Sequence, residues 1–364
     1  MTKQLGPYIF LLSFIVLVAC KKNSEPQLNP ATQAIYFPPL GGNVWLTTPA
    51  SSLAWNESEL NNLYPYLQSK DTKAFIILKN GKIVVEKYFG SFTVDSLWYW
   101  ASAGKTITGL LTGIAQQEGF ININNRTSQY LGTGWTSAPL LKENMITVKH
   151  QLTMTTGLDD SVTDEDCTSA SCLLYKADAG TRWAYHNAAY TLLGKVVENA
   201  TGISYNKYFQ EKIRDKIGMN GLWIQSPNAN NVFYSNARSM ARFGLLMLNK
   251  GKWDNTSVMN DTSYFNSQVS TSQSLNLSYG YLTWLNGKSS FMVPTSQLVI
   301  PGSLISNGPP DLYAALGKND QKIYVVPSQQ LVVIRMGNAA GGFQPAVSGF
   351  DNELWSRLKK IMNY

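Results

Sequence analysis

Three short stretches carry side chains whose types and spacing could do chemistry: Ser102-Ala-Gly-Lys105, Tyr185-His186-Asn187, and Gly317 at the start of an apolar strand. Together they supply a hydroxyl, an amine, a phenol and a carboxamide. These groups suffice to attack a carbonyl without histidine or metal. Placed three residues apart on a helix, Lys105 lies on the same face as Ser102 and within reach of its hydroxyl. A lysine amine becomes a useful base only when its pKa falls from about 10.4 towards neutrality, which burial and nearby positive potential achieve. A buried helix start supplies both, and its unpaired N–H groups favour a developing oxyanion.

Spacing alone decides little. Residue frequencies give roughly one or two Ser-x-x-Lys matches by chance in a chain of this size, and this one has Ser102/Lys105, Ser204/Lys207 and Ser356/Lys359. Ser356 belongs to a terminal helix whose period explains the match, and Ser204 after Thr201-Gly202 reads as an N-cap. Ser102 differs: it begins a long apolar helix directly after Trp98-Tyr99-Trp100. Tyr-x-Asn occurs at both Tyr185/Asn187 and Tyr234/Asn236. The second opens a segment whose arginines and apolar stripe suit a packing helix, so Tyr185/Asn187 is the better candidate.

The surrounding elements must position these groups. Asn56 followed by Glu59, Leu60 and Leu63 marks a capped helix start. Ala74–Leu78 and Ile83–Tyr88 flank Asn80-Gly81, which predicts a hairpin. Apolar residues at helical spacing from Ser102 to Glu118 end at Gly119, and periodic segments at 187–199, 204–216 and 235–249 make the region of about 120–260 mostly helical. Strand signals return at Leu312–Leu316, Lys322–Val326 and Leu331–Met336, with an amphipathic helix at 350–362. Strands at both ends and helices between predict an α+β fold: one antiparallel sheet completed by the two termini and flanked by helices, with an inserted helical region.

At 364 residues, 44% hydrophobic and 15% charged, the chain can bury a real core and is not a disordered polymer. The run Tyr8–Ala19 is too short to span a bilayer and reads as a leader peptide over residues 1–19. Its end, Leu17-Val18-Ala19-Cys20, resembles a bacterial lipobox, so Cys20 is the expected lipidation site. Residues 20–35, polar and carrying Pro26 and Pro30, read as a tether, and 36–364 as the folded domain. The chain is therefore expected in the cell envelope, lipid-anchored and outside the cytoplasm, most simply at the outer membrane. A net charge of +7 without a long basic run points to no nucleic-acid partner. Cys167 and Cys172 are expected to close a small disulfide loop in an oxidising compartment, the alternative being two unpaired thiols.

Other polar residues have plainer roles. With two histidines, His150 and His186, and no Gly-x-Ser-x-Gly, structural roles are expected for both. Asp159, Asp160, Asp164, Glu165 and Asp166 fit no calcium-loop order and read as a solvated acidic loop. No metal and no cofactor is expected. Of Trp98, Trp100 and Trp183, one is expected to line the pocket.

With these motifs in place, the chain resembles the serine β-lactamase and penicillin-binding-protein-like superfamily, class C type. The Ser-x-x-Lys and Tyr-x-Asn pairs carry the resemblance, together with Thr147–Leu158, and it extends from about Lys73 to Met336. It implies the β-lactamase/transpeptidase-like fold, a site between sheet and helical region, Ser102 as nucleophile, Lys105 and Tyr185 as a coupled proton relay, and Asn187 as an orienting amide. Which of Lys105 and Tyr185 holds the proton is left open. Members usually carry Lys-Thr-Gly or His-x-Gly on the facing strand. Here the matching residues are Ala315-Leu316-Gly317: the glycine is kept, and the cation is absent. Gly317 permits close substrate approach, and the Lys318 N–H joins that of Ser102 as oxyanion donor. The missing cation favours a small-molecule or peptide-like ester or amide as substrate. The alternatives are a β-lactamase or D-Ala-D-Ala carboxypeptidase and, from another class, a non-catalytic envelope lipoprotein that binds ligand in the same pocket.

Overall fold

The computed structural model describes residues 1–2, 34–226, 229–341 and 347–364. The leader, Cys20 and the tether up to residue 33 lie outside the described residues. Contacts divide the chain into a unit Met1–Ala34 and a unit Ile35–Tyr364, and every described helix and strand belongs to the second.

A six-stranded antiparallel sheet forms the frame, in the order Lys82–Tyr88, Thr72–Lys79, Leu331–Gly337, Gln321–Val326, Tyr313–Gly317 and Trp284–Leu285. The N-terminal hairpin sits beside the C-terminal strands because Thr72–Lys79 pairs with Leu331–Gly337, Ile76 opposite Ile334. Its turn works as the sequence predicts: Asn80 and Gly81 both take positive φ, 51° and 79°, which suits the right-handed twist of the flanking strands. The last three long strands are buried at every position, as expected where helices cover both faces.

On one face lie the helices Glu57–Ser69 and Gly349–Met362, packed on each other. The first is capped by Asn56, whose Oδ1 accepts the Glu59 N–H at 3.1 Å. The second presses Trp355 edge-on to Tyr324, ring centres 5.5 Å apart. The opposite face receives the helix Ala237–Leu248. A Cβ on Gly244 would come within 2.5 Å of Val332, so the glycine is what lets this helix seat on the sheet.

The inserted region is less purely helical than the periodicity predicts. It carries a small sheet in which Val232–Ser235 pairs with both Trp98–Tyr99 and Leu222–Ile224. Segments this short give no period to read, and their pairing partners are far away in sequence. The segment 204–216 is also broken, into Tyr205–Phe209, a π turn over Gln210–Arg214, and Asp215–Ile217. Cys167 and Cys172 are disulfide-bonded, closing the expected small loop.

Behind the strand Tyr313–Gly317 sits a buried charged network. Lys322 Nζ lies 2.9 Å from Asp351 and 3.2 Å from Asp320, and Tyr324 donates to Asp351 at 2.6 Å. Arg335 donates to the carbonyls of Asn319 and Asp320 at 3.2 and 2.9 Å. Both residues are left-handed, at φ 60° and 59°. Costly conformations of this kind persist only where the surroundings fix them. Here they fix the turn that immediately follows Gly317.

Candidate active site

Ser102 enters on a sharp bend. The strand Trp98–Tyr99 ends as Trp100 donates its N–H to the Phe233 carbonyl and its Nε1–H to Ser235, both at 2.8 Å. Ala101 then takes φ 46°, unusual for a residue with a Cβ. Ser102 lies on one 3₁₀ turn, Ala101–Gly104, and the α-helix begins only at Lys105 and runs to Gln117. The predicted helix start is thus a tighter turn feeding the helix. Gly104 is required there, since a Cβ would meet Trp223 at 2.9 Å.

The helix Lys105–Gln117 is buried from Lys105 through Ala115. Lys105, 1% exposed, points its amine back at the bend. It donates to Ser102 Oγ and to Asn187 Oδ1, each at 2.9 Å. Among the described residues it makes no salt bridge to a carboxylate. Burial pulls the amine down to about 7, with the charges of Asp166 and Glu165 acting weakly the other way. This brings the neutral amine within reach near physiological pH.

Tyr185 and Asn187 flank the start of the helix Asn187–Thr201. His186 between them faces the other way and holds the segment. Its Nδ1 accepts the Ala189 N–H at 3.1 Å, so the opposite nitrogen carries the proton and donates to the Asp159 carbonyl at 3.0 Å. Burial lowers its pKa, in keeping with this neutral form. Tyr185 stacks on Trp284 at 5.7 Å, and the Lys105 amine lies 5.0 Å from its ring centre. Burial pushes the phenol well above its ordinary range, opposed by its contacts with Ser102 and Trp284.

Gly317 closes its strand rather than opening one. It lies directly against the bend: a Cβ there would sit 2.4 Å from the Trp100 carbonyl oxygen and 2.9 Å from the Ala103 nitrogen. Both are backbone atoms that cannot swing aside. Gly317→Ala should therefore push the strand from the bend and lower kcat/KM by about 100-fold, a displacement of about 1 Å being enough. Steady-state kinetics check this, and unchanged turnover would remove Gly317 from the site.

The structure thus brings Ser102, Lys105, Tyr185, Asn187 and Gly317 together where sheet and helical region meet, with Lys318 next along the chain. The decoys fall away. Asn236 caps its helix by accepting the Ser239 N–H at 2.9 Å, while Ser204 stands at a helix start without its side chain capping it. His150 forms a capping box with Thr147. In the acidic loop Asp159 pairs with Lys176 at 2.7 Å and Asp160 with Arg182 at 2.6 Å. Among the described residues no group of three or more His, Cys, Asp or Glu converges as a metal site. Of the three tryptophans, Trp100 is core and Trp98 half-buried, while Trp183 lies buried beneath Tyr185, 6.2 Å between rings. The aromatic residues nearest the relay, Trp284 and Tyr190, were not legible as site residues, because neither belongs to a spaced motif.

A sequence profile of the beta-lactamase family matches residues 71–354. The chain belongs to this family. Among relatives, it is 29% identical over 150 residues to a beta-lactamase of Escherichia coli, covering 39% of each chain. Against protein flp of Staphylococcus aureus it is 30% identical over 161 residues, 37% of this chain and 31% of the other. It thus spans about a third of the length of the relatives it matches. Among solved structures, a Bacillus anthracis protein provisionally designated a 6-aminohexanoate-dimer hydrolase superposes with a TM-score of 0.67 at 18% identity, covering 90% of this chain and 89% of that one. The octameric penicillin-binding protein homologue of Pyrococcus abyssi gives 0.59 at 15% identity, over 84% and 78%. These likenesses establish the beta-lactamase/transpeptidase-like fold.

Proposed function

We propose that this protein is a serine hydrolase that opens ester or amide bonds through an acyl-enzyme on Ser102. The observation that carries this reading is the Lys105 amine, buried, held between Ser102 Oγ and Asn187 Oδ1, and poised near neutrality. The upward shift of Tyr185 favours the amine as resting base and the phenol as proton carrier.

Ser102 Oγ attacks the carbonyl carbon and gives its proton to Lys105 Nζ. In this reading the backbone N–H groups of Ser102 and Lys318 serve as donors to the oxyanion so formed. As the intermediate collapses, the carbonyl re-forms and the leaving alcohol or amine takes the proton from Lys105 through the Tyr185 hydroxyl. Water then loses a proton to Lys105 and attacks the acyl carbon, and Ser102 Oγ departs with that proton.

Ala315 stands where relatives usually carry a cation, and the strand Tyr313–Gly317 has no charged side chain. A substrate carboxylate finds no partner on it. Esters and linear amides are therefore favoured over β-lactams and D-alanyl peptides, although the family resemblance keeps those as the second reading. A panel of p-nitrophenyl esters, linear aminoalkanoate amides and nitrocefin separates them. Esters or linear amides should turn over fastest. Nitrocefin hydrolysis at a comparable rate would select the second reading, and ligand retention without turnover on any of the three would select a binding protein.

A further inference from the structure

Lys105 must be buried to act as a base and yet must carry a proton during each turnover. Its hydrogen-bond partners, Ser102 and Asn187, are neutral. A charge transferred to a buried group with no counter-charge is strongly disfavoured. What faces the amine besides these two is aromatic: its nitrogen lies 5.0 Å from the centre of the Tyr185 ring and 4.2 Å from that of Tyr190. A ring face within about 6 Å attracts a cation, more strongly when water is excluded. Of the two, Tyr190 is nearer, and it is 3% exposed.

Tyr190 is also held in place. It lies one turn after Asn187 on the same helix. Its hydroxyl lies near Thr108, which stands one turn after Lys105 and bonds the Tyr205 hydroxyl at 2.7 Å. The ring thus sits between the two helices of the relay. Tyr185 is constrained differently, stacked on Trp284.

We propose that Tyr190 is a positioning residue of the relay, its ring face serving as the nearest counter-charge of the Lys105 ammonium and setting the pH at which the site becomes active. This rests on Lys105 being the base. The other titratable groups acting on the amine are Tyr185, which burial keeps protonated, and Asp166 and Glu165 of the acidic loop just before Cys167, whose charges act from beyond ion-pair distance. Tyr190 is the nearer of the two rings, so the electron density of its face weighs more on the amine.

That dependence gives a test that leaves packing nearly unchanged. Tyr190→Phe keeps the ring and loses the hydroxyl, so the acid limb of kcat/KM for an activated ester should stay near the wild-type position. Placing 4-fluoro-, 3,5-difluoro- and 3,4,5-trifluorophenylalanine at the same position drains the ring face stepwise. The ammonium then loses stabilisation, the amine releases its proton more readily, and the acid limb moves to lower pH. The full series should move it by about one pH unit, the shift expected when a desolvated cation–π contact is lost. A limb that stays fixed across the fluorine series, or moves upward, overturns the role of Tyr190. Failure of the underlying reading looks different: wild type itself would show no limb near neutrality, or Lys105→Ala would keep it.

Discussion

Ser102→Ala lowers turnover of the best ester or amide by at least about 10³-fold, and labelling by a fluorophosphonate disappears with it. The magnitude follows from the removal of the only group that forms the covalent intermediate, after which binding and the oxyanion donors alone remain. The change itself is small. Ser102 is half-buried on a turn whose shape is set by Trp100, Ala101 and Gly104, and its hydroxyl bonds only as acceptor from Lys105 among the hydrogen bonds described. The variant should therefore melt at or near the wild-type temperature. Thermal unfolding followed by circular dichroism, run beside the kinetics, checks that catalysis and not folding was lost.

The second large effect concerns Lys105. Its amine works as a base only when neutral, and burial draws its pKa down to about 7. The acylation rate should rise about tenfold per pH unit below that value and level off above it. Lys105→Met should cut the rate by about 10²- to 10⁴-fold, the usual worth of a positioned general base, and abolish the limb. Stability moves oppositely. Because the folded pKa lies below the unfolded one, the unfolded chain binds the proton more strongly, and stability rises with pH between about 7 and the ordinary lysine value. Below about 7 the fold must bury an ammonium. Lys105→Met is freed of that cost, and at pH 6 it should melt higher than the wild type. An inactive variant that melts lower would mean that the lysine holds the fold rather than serving the reaction.

What could be read from the sequence was mostly local. The hairpin at Asn80-Gly81 and the Asn56 cap depend on neighbouring residues, and both took the predicted form. Ser102 and Lys105 sit one turn apart, so their meeting follows from helical spacing, helped by the tight 3₁₀ turn. Asn187 is different. Its contact with Lys105 spans 82 positions, and only the family resemblance linked the two in advance. Trp284 and Tyr190 show what remains hidden: each earns its place by packing against Tyr185 or Lys105 across the fold. No period or motif marks such a partner. The small sheet of Trp98–Tyr99, Leu222–Ile224 and Val232–Ser235 escaped for the same reason, though it is this sheet that holds the bend before Ser102.

In the proposed mechanism Ser102 acts as a nucleophile activated by its lysine. Intact-mass measurement after brief exposure to a fluorophosphonate, with peptide mapping of the adduct, tests this most directly. The expected result is one adduct per chain, on Ser102, formed at a rate that follows the neutral fraction of Lys105. An adduct on another residue, or labelling of Ser102→Ala at the wild-type rate, would contradict it.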